Sequence, residues 1–122
     1  MTSPEVPSVP VDEVPAEFDA AVPAAAGSSA ILLDVREDDE WQLGHAPGAL
    51  HIPMADVPAR VDELDYDSDI YVVCRQGGRS IEVVKYLAHV GFDAVHVVGG
   101  MVAWQRSGRP LTGADGHEAR IY

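Results

Sequence analysis

The chain has 122 residues, 47% of them hydrophobic, which suits one domain with a single core. Twenty acidic residues face eight basic ones, a formal net charge of −12, and this argues against general nucleic-acid binding, which needs a basic footprint. The one cysteine excludes an intramolecular disulfide, residues 1–10 have the make-up of no secretory signal, and no apolar run approaches the ~20 residues of a membrane span. The expectation is a soluble, cytoplasmic protein without membrane or nucleic-acid partners.

Residues 1–7 read as a tail, and the Pro- and Val-rich stretch to Pro10 as ending in a short edge strand, where proline is tolerated. Val14, Phe18, Val22 and Ala25 follow helical spacing, with Pro15 suited to a first turn. Gly27-Ser28-Ser29 is a break. Ile31-Leu32-Leu33 is a short apolar run ending at Asp34, as a buried parallel strand should be. Residues 36–43 predict a short surface helix, Gly44 to Gly48 a turn, and Ala49 to Ile52 a strand closed by Pro53. Met54, Val57, Val61 and Leu64 form another helical stripe, followed by an acidic turn over Asp65 to Asp69.

Ile70 to Val73 is a second apolar strand, ending in Cys74. Gly77-Gly78 marks a tight loop, and a helix carrying Ile81, Val84 and Ala88 follows, capped by Gly91. Ala94 to Val98 is a third apolar strand. Gly99-Gly100 leads into a last helix with Val102, Ala103 and Trp104, ended by Gly108 and Pro110. Residues 112–122 read as a loose polar tail. Alternating strands and helices predict an α/β domain over 8–111 with a mainly parallel sheet and helices on both faces. Ligands bind such sheets beyond the carboxyl ends of the strands, where Cys74 falls.

The segment Cys74-Arg75-Gln76-Gly77-Gly78-Arg79-Ser80 joins a strand to a helix N-terminus. First-turn N–H groups have no partners inside a helix, the macrodipole adds partial positive charge there, and glycines let successive amides turn inward around an anion. Seven of the eight bases are arginines, and Arg75 and Arg79 bracket the single cysteine. Taken alone, the pair reads equally as a local anion site or as solvated surface groups. A cysteine at a strand end is by itself often simply buried. In this loop it is expected to be partly thiolate at neutral pH, and the thiolate is the nucleophile.

Three separated motifs resemble the rhodanese-like, or thiosulfate sulfurtransferase, domains. The first runs Leu32-Leu33-Asp34-Val35-Arg36-Glu37, then Glu40-Trp41, Gly44-His45-Ala46-Pro47-Gly48-Ala49 and Ile52-Pro53. The second is the loop Cys74 to Ser80, and the third is Gly99-Gly100, Trp104 and Gly108-Arg109-Pro110-Leu111. The resemblance implies a three-layer sandwich around a five-stranded sheet. It also implies transfer of sulfane sulfur from thiosulfate or a similar donor to a thiol, cyanide or a small thiol protein, through a persulfide on Cys74. The amides from Arg75 to Ser80, with Gln76, Gly77 and Gly78 among them, would hold the persulfide, and Arg75 and Arg79 the anionic donor. No metal or cofactor is required. The well-known two-domain members place the site between domains, so one domain implies a shallower site.

Asp34 and Arg36 share the sheet edge with Cys74 and are expected to support the loop as an ion pair or brace rather than to catalyse. His45 is expected to brace its turn, and His51, His89, His96 and His117 have no ligand spacing to a second His or Cys. Trp41 and Trp104 are expected to pack. Two other functions fit the same pattern. One is a persulfide carrier or regulatory module for a protein partner. The other is a phosphatase or arsenate reductase of the same fold, whose loop is Cys-x5-Arg. Here Cys74 and Arg79 enclose four residues, and the shorter ring suits one sulfur atom better than a phosphoryl group.

Overall fold

A computed structural model describes residues 6–15, 30–113 and 119–121. Five strands form one sheet in which every pairing is parallel: β1 (Ser8–Pro10), β2 (Ala30–Asp34), β3 (Leu50–His51), β4 (Asp69–Val73) and β5 (Asp93–Val98), in the spatial order β1-β5-β4-β2-β3. β4 is therefore central. After β2 the chain steps outward to β3, then returns past β2 to β4 and on to β5, so β2 and β4 flank the topological switch point, the place in such sheets where ligands bind beyond the strand ends.

The helices are α1 (Asp38–Leu43), α2 (Val57–Arg60), α3 (Gly78–His89) and α4 (Gly100–Arg106). The two faces of the sheet are sorted by strand periodicity. Leu33, Ile70, Val72 and Ala94 pack with Val57 of α2 and with Val83, Val84 and Leu87 of α3. Leu32, Val73 and Val97 pack on the other face with Val11, Met101 and Trp104. Both faces are covered, which is why Ile31 to Leu33 of β2 and Ile70 to Val73 of β4 are apolar without alternation. On α3, Ser80, Val83, Val84 and Leu87 form one buried stripe at helical spacing. Gly91, at φ +100°, supplies the left-handed turn that ends the helix.

The structure departs from the sequence reading in two places, and a third expectation lies outside the described residues. Residues 54–63 are not one helix. The four-residue α2 lies between the 3-10 turns Met54–Asp56 and Val61–Glu63, with Pro58 in its first turn, where a missing N–H costs nothing. The helix expected over Val14 to Ala25 falls, beyond Pro15, outside the described residues; Val14 itself follows the 3-10 turn Val11–Glu13 and is buried. Where a loose polar tail is expected, Thr112 pairs with His45 through both backbone hydrogen bonds (2.9 and 2.8 Å) and the Arg120 N–H donates to Leu43 O (2.9 Å). Gly44 permits that return, since a Cβ there would meet the Arg120 backbone nitrogen at 2.7 Å.

Trp104 packs as expected and donates its indole N–H to Pro110 O at 2.9 Å. Arg109 lies over its ring and donates to Val14 O (2.6 Å) and Pro15 O (3.2 Å), tying the last motif to the first strand–turn unit.

Candidate active site

Cys74 follows the last residue of the central strand and is buried, 1% exposed. The loop rises from there to exposed Gln76 and Gly78 and returns to Ser80, which is fully buried in the first turn of α3. Cys74 Sγ lies 3.4 Å from Ser80 Oγ. Ser80 Oγ also lies 3.1 Å from Gly77 O and 2.7 Å from His96 Nδ1. The sulfur thus faces the N-terminal turn of a 12-residue helix, whose first N–H groups are not used within the helix.

The backbone of the loop is held from the other side by α4. Met101 N–H donates to Cys74 O (2.8 Å) and Val102 N–H to Arg75 O (3.0 Å). Gly100, at φ +58°, makes this approach possible, because a side-chain carbon there would strike both carbonyls. The Gly99-Gly100 pair of the third motif therefore serves the cysteine loop directly.

Asp34 and Arg36 form a fully buried ion pair at the end of β2. Arg36 Nε and Nη2 reach both carboxylate oxygens of Asp34 at 2.7 to 3.1 Å. Arg36 also donates to Glu40 O (3.3 Å) and Gly44 O (2.7 Å). One guanidinium thus ties the strand end to α1 and to the turn after it. His51 Nε2 lies 2.8 Å from Arg36 O, and Trp41 stacks on both His45 and His51. His45 Nδ1, 2.7 Å from Trp41 O, braces its turn as expected.

Arg79 reaches out of the loop to α1. Its Nη1 and Nη2 pair with the two oxygens of Glu40 at 2.6 and 2.9 Å, and Glu40 Oε1 also accepts the Glu37 N–H at 2.9 Å in a capping box. The hydrogen bonds from Arg79 are the main reason the Glu40 carboxyl falls from the usual 4.5 to about 2, aided by the Glu37 N–H and the charges of Arg79 and Arg36, against burial. Arg79 is made more basic in turn, first by its bonds to Glu40, with the charges of Glu40, Cys74 and Glu37 adding to them against burial.

The Rhodanese-like domain family matches residues 14–107, more than half of the chain. The chain belongs to that family. Relatives of the rhodanese-like domain include YtwF of Bacillus subtilis, provisionally named a sulfurtransferase, with 47% identity over 65% of this chain and 77% of that one. A sulfurtransferase of Allochromatium vinosum is 37% identical over 70% of this chain and 81% of its own. A rhodanese-like domain protein of Staphylococcus aureus has a crystal structure with a TM-score of 0.68 at 32% identity, covering 93% of this chain and 98% of its own. Sulfur transfer is the chemistry that the names of the first two relatives carry.

Within this rhodanese-like domain, Cys74, Arg75, Gln76, Gly77, Gly78, Arg79 and Ser80 lie together at the strand-to-helix turn, and Asp34 and Arg36 stand at the neighbouring strand end. Two residues beside the loop escape a reading by motif. Glu40 belongs to the first motif, but its hold on Arg79 spans 39 positions, and no local pattern announces it. His96 interrupts an apolar strand and shares the parity of Ala94, which places it on the α3 face. That parity is the one signal the sequence carried.

The Glu40–Arg79 pair has a consequence for acid stability. A carboxyl more acidic in the fold than outside it stabilises the fold above its ordinary value of 4.5, and that contribution is lost as pH falls toward about 2. Both side chains keep some exposure (30% for Arg79, 13% for Glu40), so solvent screens part of the effect. Urea unfolding from neutral pH downward should show wild type losing stability faster than Glu40→Gln across this window. Parallel curves would mean that the pair adds nothing to stability.

Proposed function

We propose that this domain is a sulfurtransferase that moves sulfane sulfur from thiosulfate or a similar anionic donor to a thiol or cyanide acceptor through a persulfide on Cys74. The observation that carries this reading is the position of Cys74. It stands at the end of the central strand, and its sulfur faces the first turn of α3.

The Cys74 thiolate attacks the outer sulfur of thiosulfate. A new S–S bond forms to Cys74, the S–S bond of thiosulfate breaks, and sulfite leaves with the electron pair. An acceptor thiolate or cyanide then attacks the outer sulfur of the persulfide, and the pair returns to Cys74. No net oxidation of the enzyme occurs, and an ionised nucleophile requires no separate base. The amides of the loop from Arg75 to Ser80 stabilise the charge on the persulfide, and Arg75 and Arg79 receive the anionic donor and the departing sulfite. Asp34 and Arg36 stay outside the chemistry and hold the frame. The exposed rim at Gln76 and Gly78 also suits a thiol carried on a small protein.

Steady-state assay with thiosulfate and cyanide tests this reading against the phosphatase alternative. Wild type is expected to form thiocyanate and to leave an aryl phosphate untouched, since a ring closed by four residues between Cys74 and Arg79 is cut for one sulfur atom. Efficient aryl phosphate hydrolysis that depends on Cys74, with no sulfur transfer, would overturn the proposal.

A further inference from the structure

Ser80 Oγ stands between two chemically active neighbours, Cys74 Sγ at 3.4 Å and His96 Nδ1 at 2.7 Å. All three residues are buried, with 1%, 0% and 6% exposure for Cys74, Ser80 and His96. A side-chain carbon at Gly77 would come within 3.2 Å of His96 Cε1, so the glycine lets the ring lie against the loop. The placement joins β4, α3 and β5 at one point.

A hydroxyl has one proton to give. Ser80 has three takers within reach: Cys74 Sγ, His96 Nδ1 and Gly77 O. The state of Nδ1 decides among them. A bare Nδ1 is the closest acceptor and takes the proton, which leaves Cys74 facing an oxygen lone pair, an arrangement that suits a thiol. An Nδ1 that carries hydrogen donates to Ser80 instead and leaves the hydroxyl proton to Gly77 O or the sulfur, and of these two a charged thiolate is the stronger acceptor. Burial keeps the ring from gaining a second proton, so at neutral pH the choice is between tautomers of a neutral imidazole.

We propose that His96 is a positioning residue for Cys74 that acts through Ser80: its Nδ1–H donates to Ser80 Oγ, and the Ser80 hydroxyl donates to the Cys74 thiolate. The inference rests on the reading of Cys74 as the nucleophile. No atom is transferred by His96. As Cys74 gives its electron pair to the outer sulfur and later regains it, the Ser80 proton already points at the sulfur, and no reorientation is needed at either step.

The test needs no sulfur donor, so its failure is separable from failure of the sulfurtransferase reading. Because the chain has a single cysteine, ultraviolet thiolate absorbance and the rate of iodoacetamide alkylation at neutral pH both report on Cys74 alone. His96→Leu is expected to lower the absorbance and slow alkylation about three- to tenfold, the scale of one ordinary net hydrogen bond. His96→Asn, whose amide N–H takes the place of Nδ1–H, should recover most of the rate. His96→Gln, whose amide falls near the place of Nε2, should not. Ser80→Ala should lose as much as His96→Leu, and combining the two should cost nothing more. Nitrogen NMR should find the Nδ1–H tautomer at His96 in the wild-type protein. The proposal fails if His96→Leu alkylates like wild type, if Asn and Gln behave alike, if the two losses add, or if the tautomer is Nε2–H. Should His96→Leu not fold, the contrast between Asn and Gln decides.

Discussion

Replacing Arg36 by leucine is expected to destabilise the protein by about 3–5 kcal/mol, the cost of leaving one partner of a buried ion pair behind. Arg36 is fully buried, and it holds Asp34, Glu40 O and Gly44 O at once. Without it the Asp34 carboxylate faces the interior with the Arg36 backbone N–H as its remaining bond in this turn, and two carbonyls lose their donor. Arg36→Lys keeps the charge but not the planar fork, so it should recover less than half of the loss. Urea unfolding reads the result directly, as a lower midpoint with an unchanged slope. A loss below about 1 kcal/mol would place the pair among surface ion pairs in energy, and would contradict its role as the brace between β2, α1 and the following turn.

Arg79→Ala is expected to lower kcat/KM for thiosulfate about ten- to a hundredfold. Losing a charge-assisted contact to the anion accounts for roughly 1.5–3 kcal/mol. A second effect follows from the bidentate pair with Glu40. Once Arg79 is gone, the Glu40 carboxylate loses its ion-pair partner and its negative charge would repel an incoming anion. Arg79→Ala combined with Glu40→Gln should therefore recover part of the activity that Arg79→Ala loses. Arg79→Lys should recover part as well, since an ammonium supplies charge without the fork. Stopped-flow measurement of sulfite release separates this step from transfer to the acceptor. Wild-type kinetics in Arg79→Ala would remove the arginine from the mechanism, and a double variant no better than the single one would remove Glu40.

The three apolar runs ending at Asp34, Cys74 and Val98 each became a strand of the parallel sheet, as short, mainly apolar segments covered on both faces do. The cysteine loop was equally legible, since glycines, arginines and a following helix stand consecutively in the chain. What the sequence hid depends on distance. The hold of Glu40 on Arg79, the return of Arg120 onto Leu43 and the support of Cys74 O by Met101 N–H join residues 27 to 77 positions apart, and no periodicity encodes such pairings. The 54–64 stretch misled for a different reason. Its apolar spacing is helical, but Pro58 cannot continue the preceding turn and instead starts the short α2, which gives way to a 3-10 turn at Val61. His96 was hidden because a lone histidine in an apolar strand has no spacing partner; only its side of the sheet points at Ser80.

The most direct test of the account is the mass of the protein after incubation with thiosulfate and removal of excess donor. The account predicts a gain of one sulfur atom on the peptide that contains Cys74, reversed by a reducing thiol, and no gain in Cys74→Ser. Sulfur uptake by the serine variant, or an unchanged mass in wild type that still turns thiosulfate over, would contradict a persulfide on Cys74.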